Sequence, residues 1–189
     1  MNYERIKRMT IALLCGSFAV GAAAGAAAAA AAGEESRAVL GMAVAQYAEK
    51  ASVNAVRAWA GCLAPVTAAI AAGMTVYCRA VYPLIFFIRG LTSAYAVSAV
   101  YAALERGTGF AAALAIFAPK NALLLAGLLI LCLDAYAKTL AGLRRPEGEQ
   151  CYVPDASFLK RTAVCLLLAA GAALCVIYVS PWLAAAILC

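Results

Sequence analysis

The chain has 189 residues, 67% of them hydrophobic and 13% charged, with a mean hydropathy of +0.91, more apolar than a soluble domain can cover with polar surface. Its formal charge of +6 does not point to nucleic acid, because the basic residues gather at the ends of apolar runs instead of interleaving with aromatics along a stripe. Histidine is absent, as are the GxSxG, HExxH and P-loop patterns, so the chain reads as non-enzymatic, with no cofactor and no metal. What remains is an all-α membrane protein of about five transmembrane helices, each needing about 20 mostly apolar residues to cross roughly 30 Å of hydrocarbon.

The start, MNYERIKR, is basic, and the charge-free run 9–32 that follows is the first predicted span. A cleaved signal peptide is the alternative, since a basic head, an apolar stretch and an alanine tract before Gly33 suit processing. Ser17, Gly21, Gly25, Ala29 and Gly33 recur every fourth residue, so one face, with Gly21 and Gly25 in a GxxxG arrangement, would let another helix backbone approach closely. Residues 34–58 mix charges with an apolar face of Val39, Leu40, Ala43, Val44 and Tyr47, which predicts an amphipathic helix lying in the outer interface.

The second span, 59–78, opens on Trp59, a residue suited to the membrane boundary, and contains Pro65, which should kink it or mark its first turns. The third, 80–104, holds Arg89 and Gly90 inside an apolar stretch, where the helix is expected to break or kink; the fourth, 110–137, is interrupted by FAPKN, residues 117–121, and carries Asp134 near its end. A polar loop, 138–161, leads to the last span, 162–188. Six cysteines, Cys15, Cys62, Cys78, Cys132, Cys165 and Cys175, fall in apolar segments with no CxxC pair and read as small core residues. Cys151 in the loop and the terminal Cys189 read as plain thiols.

Orientation follows from the distribution of Lys and Arg. An N-terminus inside places Arg5, Lys7, Arg8, Arg79, Lys138, Arg144, Arg145, Lys160 and Arg161 inside, against Arg37, Lys50, Arg57 and Arg106 outside. The C-terminus is then outside, and Arg89 and Lys120 are left within the membrane. A cation at a helix centre costs at least about 2.5 kcal/mol and calls for a partner. The expected pairings are Arg89 with Asp134, and Lys120 snorkelling towards Glu105 or the headgroups. Pro119 is expected to break or kink its helix near Ala118, with Asn121 or a neighbouring helix supplying donors to the carbonyls of 116–118.

The run YPLIFFIRGLTSAYAVSAVY, the glycine-bearing turn ERGTGF and the run AAALAIFAPKNALLLAGLLI together resemble the stage II sporulation protein M family, small polytopic membrane proteins of about five helices. The resemblance rests on Gly90, Gly109, Pro119 and Asn121, and upstream on Asn54, Arg57, Trp59 and Gly61 of SVNAVRAWAG. It covers roughly residues 54–137; Lys120 stands where the family more usually has an amide, and the alanine-rich first 50 residues lack a family-like polar preface. The resemblance implies a non-enzymatic scaffold in the bacterial cytoplasmic membrane that recruits peptidoglycan-degrading sporulation proteins during engulfment, with 34–58 as the contact for extracytoplasmic partners. The alternative is a small transporter or transport-complex subunit whose cationic midplane site is lined by Arg89, Lys120 and Asn121.

Overall fold

A computed structural model describes residues 3–33, 39, 54–75, 77–103, 106–140 and 154–188. The helices are α1 (Tyr3–Ala31), α2 (Ala55–Gly73), α3 (Cys78–Ala103), α4 (Arg106–Leu140), α5 (Ala156–Leu174) and α6 (Ser180–Leu188), the last two joined by a π-helical segment, Cys175–Val179. Counting α5 to α6 as one continuous helix, five helices are long and apolar enough to cross a membrane. The outside of the bundle is apolar as well: Val20, Leu84, Leu159, Leu167 and Trp182 are all exposed. In water such a surface would drive association; in a multi-pass membrane protein it meets lipid.

Helix α1 begins six residues earlier than the apolar run. The head contains good helix formers, Glu4 pairs with Lys7 at 3.2 Å, and the Lys7 ammonium lies 4.7 Å from the centre of the Tyr3 ring. Along its length α1 packs most extensively on α3, and glycine makes that possible. A Cβ added at Gly21 would run into the Phe87 carbonyl, one at Gly25 into the Leu91 carbonyl, and one at Gly90 into the Phe18 carbonyl. The two backbones are in direct contact, as the small-residue recurrence predicts.

Helix α2 starts at Ala55, because the Asn54 side chain accepts the Arg57 amide at 3.2 Å, an N-cap that satisfies one of the helix's orphan donors. Residues 55–58, expected in the outer segment, therefore belong to a span. The rest of the expected interfacial helix lies outside the described residues, apart from Val39, which is helical. The turn from α2 to α3 also falls earlier than hydropathy places it. Helix α2 stops at Gly73, which is packed against the Tyr82 hydroxyl and the Phe158 ring, and the Thr75 hydroxyl donates to the Ala72 carbonyl at 3.0 Å. Cys78 and Arg79 accordingly open α3 rather than close α2.

Neither of the two positions expected to break or kink a helix ends one. Helix α3 runs through Arg89–Gly90 and α4 through Pro119, each as one continuous helix. Gly90 serves the α1 contact, and a proline inside a membrane helix is tolerated where neighbours re-satisfy the backbone. Gly109, expected in the 105–110 turn, is buried in the first turn of α4. Asp155 caps α5 at Ala156, so the loop is shorter at both ends than the polar stretch 138–161.

The core lies between α2, α3, α4 and α5, around Val66, Tyr82, Phe86, Leu124, Leu128 and Leu131. Cys62, Cys78, Cys132 and Cys165 are buried there as free thiols, acting as small apolar residues. Cys15 does not follow the expectation: it is exposed on α1.

Candidate functional site

Two polar regions stand out within the apolar bundle. The first joins helix ends. Asp134 and Lys138, one turn apart on α4, meet at 2.9 Å. Lys138 also bonds Asp155 Oδ2 at 2.7 Å and the Ser157 hydroxyl at 2.7 Å. Tyr3 of α1 donates its hydroxyl to Asp134 Oδ1 at 2.9 Å, and Arg161 of α5 lies 3.5 Å from the same oxygen. Asp155 accepts the Phe158 amide at 2.8 Å as the N-cap of α5 and the Ser157 hydroxyl at 3.0 Å. Burial alone would raise the Asp155 carboxyl, but the bonds from Lys138, the Phe158 amide and Ser157 hold it down at about 2. Beside this network, Arg79 of α3 donates to the Thr139 carbonyl at 2.9 Å, and the Thr139 hydroxyl turns back to the Ala135 carbonyl at 2.8 Å. The ends of α1, α3, α4 and α5 are thus tied together, with the Asp134 side chain only 8% exposed.

The second region lies midway along the helices. Arg89 of α3 donates Nη2 to the Gly61 carbonyl of α2 at 2.6 Å. That carbonyl is four residues before Pro65, so it is the acceptor a normal helix would pair with the amide that Pro65 lacks. The approach does not depend on glycine, since an added Cβ at Gly61 would meet nothing within 4 Å. The guanidinium thus occupies a vacancy created by a proline on another helix. Lys120 of α4 places its ammonium 5.9 Å from the centre of the Phe117 ring, three residues back along the same helix. Arg89 and Lys120 are both half-buried, and each acts electrostatically on the Cys62 thiol of α2.

The expected Arg89–Asp134 pair therefore does not form. Asp134 is saturated by Lys138, Tyr3 and Arg161, and Arg89 lies about 16 Å along α3 from Cys78, with its guanidinium on Gly61. Glu105 lies outside the described residues.

A side chain also reaches a backbone carbonyl near Pro119, although the carbonyl that this proline deprives of an amide is that of Ala115, one residue earlier. Ser180 is fully buried and donates its hydroxyl to the Ile116 carbonyl at 3.1 Å, in the turn that precedes the proline. The donor comes from a neighbouring helix, α6, rather than from Asn121, which is half-buried on α4. What aims Ser180 inward is the π-helical segment, in which the Ser180 amide bonds the carbonyl of Cys175, five residues back, just before Pro181. Of the other residues named by the resemblance, Trp59 packs against the core and Arg57 is exposed beside its cap. Tyr3, Ser157, Arg161 and Ser180 were not singled out from the sequence. Only the Pro154–Asp155 and Ser180–Pro181 dipeptides hinted at them, as a helix cap and a proline site.

No protein-family model, curated protein or solved structure matches the chain.

Proposed function

We propose that this chain is a non-enzymatic scaffold of the bacterial cytoplasmic membrane, with its N-terminus inside and its C-terminus outside, holding together a cell-envelope complex in the manner of stage II sporulation protein M. The observation that carries the reading is the Arg89–Gly61 bond. It joins two of the segments on which the resemblance rests, FIRG and SVNAVRAWAG, and it serves to complete a helix backbone. Other residues of the same motifs act as joints too: Asn54 caps α2, Gly90 seats α1, and the turn before Pro119 receives Ser180. Motif residues used to fix helix positions suit a protein whose task is to present surfaces. The chemistry would then belong to recruited partners, peptidoglycan-degrading proteins by resemblance, docking on the outer segment that precedes α2, 34–53.

Affinity purification of the full chain in mild detergent tests this. Co-purification of wall hydrolases, lost when residues 34–53 are replaced by a neutral linker but kept in Lys120→Gln, supports the scaffold. Co-purification of an ATPase, with loss of solute uptake in Lys120→Gln, would replace it with the transport-subunit reading.

A further inference from the structure

We propose that Arg89 and Lys120 form a binding site for a phosphate-class anion, set between α2, α3 and α4. The hairpin register brings them level: Arg89 is 14 residues before the end of α3 at Ala103, and Lys120 is 14 residues after the start of α4 at Arg106. Each is thus about 21 Å along its helix from the hairpin bend. They are close enough for the charge of Arg89 to act on Lys120, and both act on Cys62 of α2. Two like charges at one depth in an apolar bundle repel each other and lack solvation, so the pair calls for a negative counterpart.

No described side chain provides it. The described acidic residues are Glu4, Asp134 and Asp155. Glu4 is engaged with Lys7 next to Tyr3, and the two aspartates are engaged in the network that Tyr3 joins, whose Asp134 is about 21 Å along α4 from Lys120. Donors remain available. Arg89 commits Nη2 to Gly61, which leaves other N–H groups of a five-donor fork, while Lys120 meets the face of Phe117 with three ammonium protons to direct. A planar fork beside a mobile point charge matches tetrahedral phosphate oxygens. Both side chains are half-exposed, so an anion can reach them along the helix surface. The anion is either the phosphate of a lipid headgroup or free phosphate.

This goes beyond the scaffold reading and is independent of it: loss of partner capture would leave it standing, and failure of anion binding would leave the scaffold standing. The test is intact-complex mass spectrometry of the full chain, delipidated in mild detergent. It would be titrated separately with phosphatidylglycerol, with diacylglycerol as the phosphate-free control, and with inorganic phosphate, with chloride as the control. Retention of phosphatidylglycerol alone identifies a headgroup, and retention of inorganic phosphate identifies a site open to the free anion; either supports the site. Lys120→Gln should weaken the retained probe by about tenfold or more, the loss of one charge-assisted hydrogen bond, whereas Lys120→Arg should retain it. Lys160→Gln, which removes an exposed cation elsewhere, should change nothing. Because Lys120→Gln removes no hydrogen bond among the described residues, where Lys120 meets the Phe117 ring, it remains informative where Arg89→Gln fails to fold. Binding by Lys120→Gln equal to the unaltered chain, or no binding of either probe above its control, overturns the proposal.

Discussion

Asp134 and Arg89 are both charged groups in an apolar bundle, yet their surroundings are opposite. The carboxylate of Asp134 receives a hydroxyl and two cations from three helices. The guanidinium of Arg89 is bonded to a backbone carbonyl and has a second cation within electrostatic range. The first region is closed: each charge meets its opposite, and the result is a clasp on helix ends. The second is open, since one cation completes a helix and the other meets only a ring and a like charge among the described residues. A buried ionic group therefore says little about function until its partners are known. The satisfied cluster reads as architecture and the unsatisfied pair as a site.

The largest effect that would break this contrast belongs to the closed region. Asp134→Ala takes from Arg161 its carboxylate, leaves Lys138 with Asp155 alone, removes the Tyr3 bond, and should cost about 3 kcal/mol, the scale of a broken buried ion pair. The expected outcome is a sharp drop in membrane abundance and in the melting temperature of the detergent-solubilised protein. A melting temperature equal to that of the unaltered chain would mean that the network is ornamental and the contrast empty.

The next effect sharpens the open region by asking whether Arg89 works through Pro65. Arg89→Leu leaves the Gly61 carbonyl without a donor and should cost about 2 kcal/mol. Pro65→Ala restores the amide that Gly61 would normally bond, so in that background the Arg89→Leu penalty should shrink to a fraction of its size. The coupling is read from a double-mutant cycle of melting temperatures. Strict additivity would separate the two residues and return Arg89 to an unexplained intramembrane charge.

How much of this was legible beforehand follows the range of each interaction. The five spans, the two intramembrane cations and the Gly21–Gly25 face are local patterns, and windowed hydropathy and four-residue spacing register them. The turn at 74–77 escaped because its residues are as apolar as the helices they join; the signal is packing of Gly73 on Tyr82 and Phe158, which no local window contains. Arg89 was visible as a misplaced charge, but its partner was assigned by formal charge to Asp134. The actual acceptor, Gly61, is a backbone carbonyl 28 residues away, and it becomes conspicuous only through Pro65. Reading prolines for the carbonyls they orphan would have suggested it. Ser180 escaped for a different reason: a serine inside an apolar helix commonly bonds its own backbone, and only the π-helical segment turns it onto α4.

The smallest effect tests whether the closed region is held by charge. The Asp155 carboxyl sits at about 2, below its ordinary 3.8, so its folded-state ionisation is favoured. A depressed pKa contributes stability that is fully present above about pH 4 and disappears as the pH falls through about 2. Asp155 is about half exposed, so the contribution is modest. Asp155→Asn is the informative variant, because asparagine keeps the N-cap of α5 while removing the charge that Lys138 meets. Melting temperatures of both chains at pH 6 and pH 2.5 should show the unaltered chain falling further than Asp155→Asn, with no further change between pH 6 and pH 7. Equal falls would assign the acid sensitivity to Asp134 alone, leaving Asp155 as a neutral cap. The clasp would then be centred on one carboxylate of α4 rather than shared between α4 and α5.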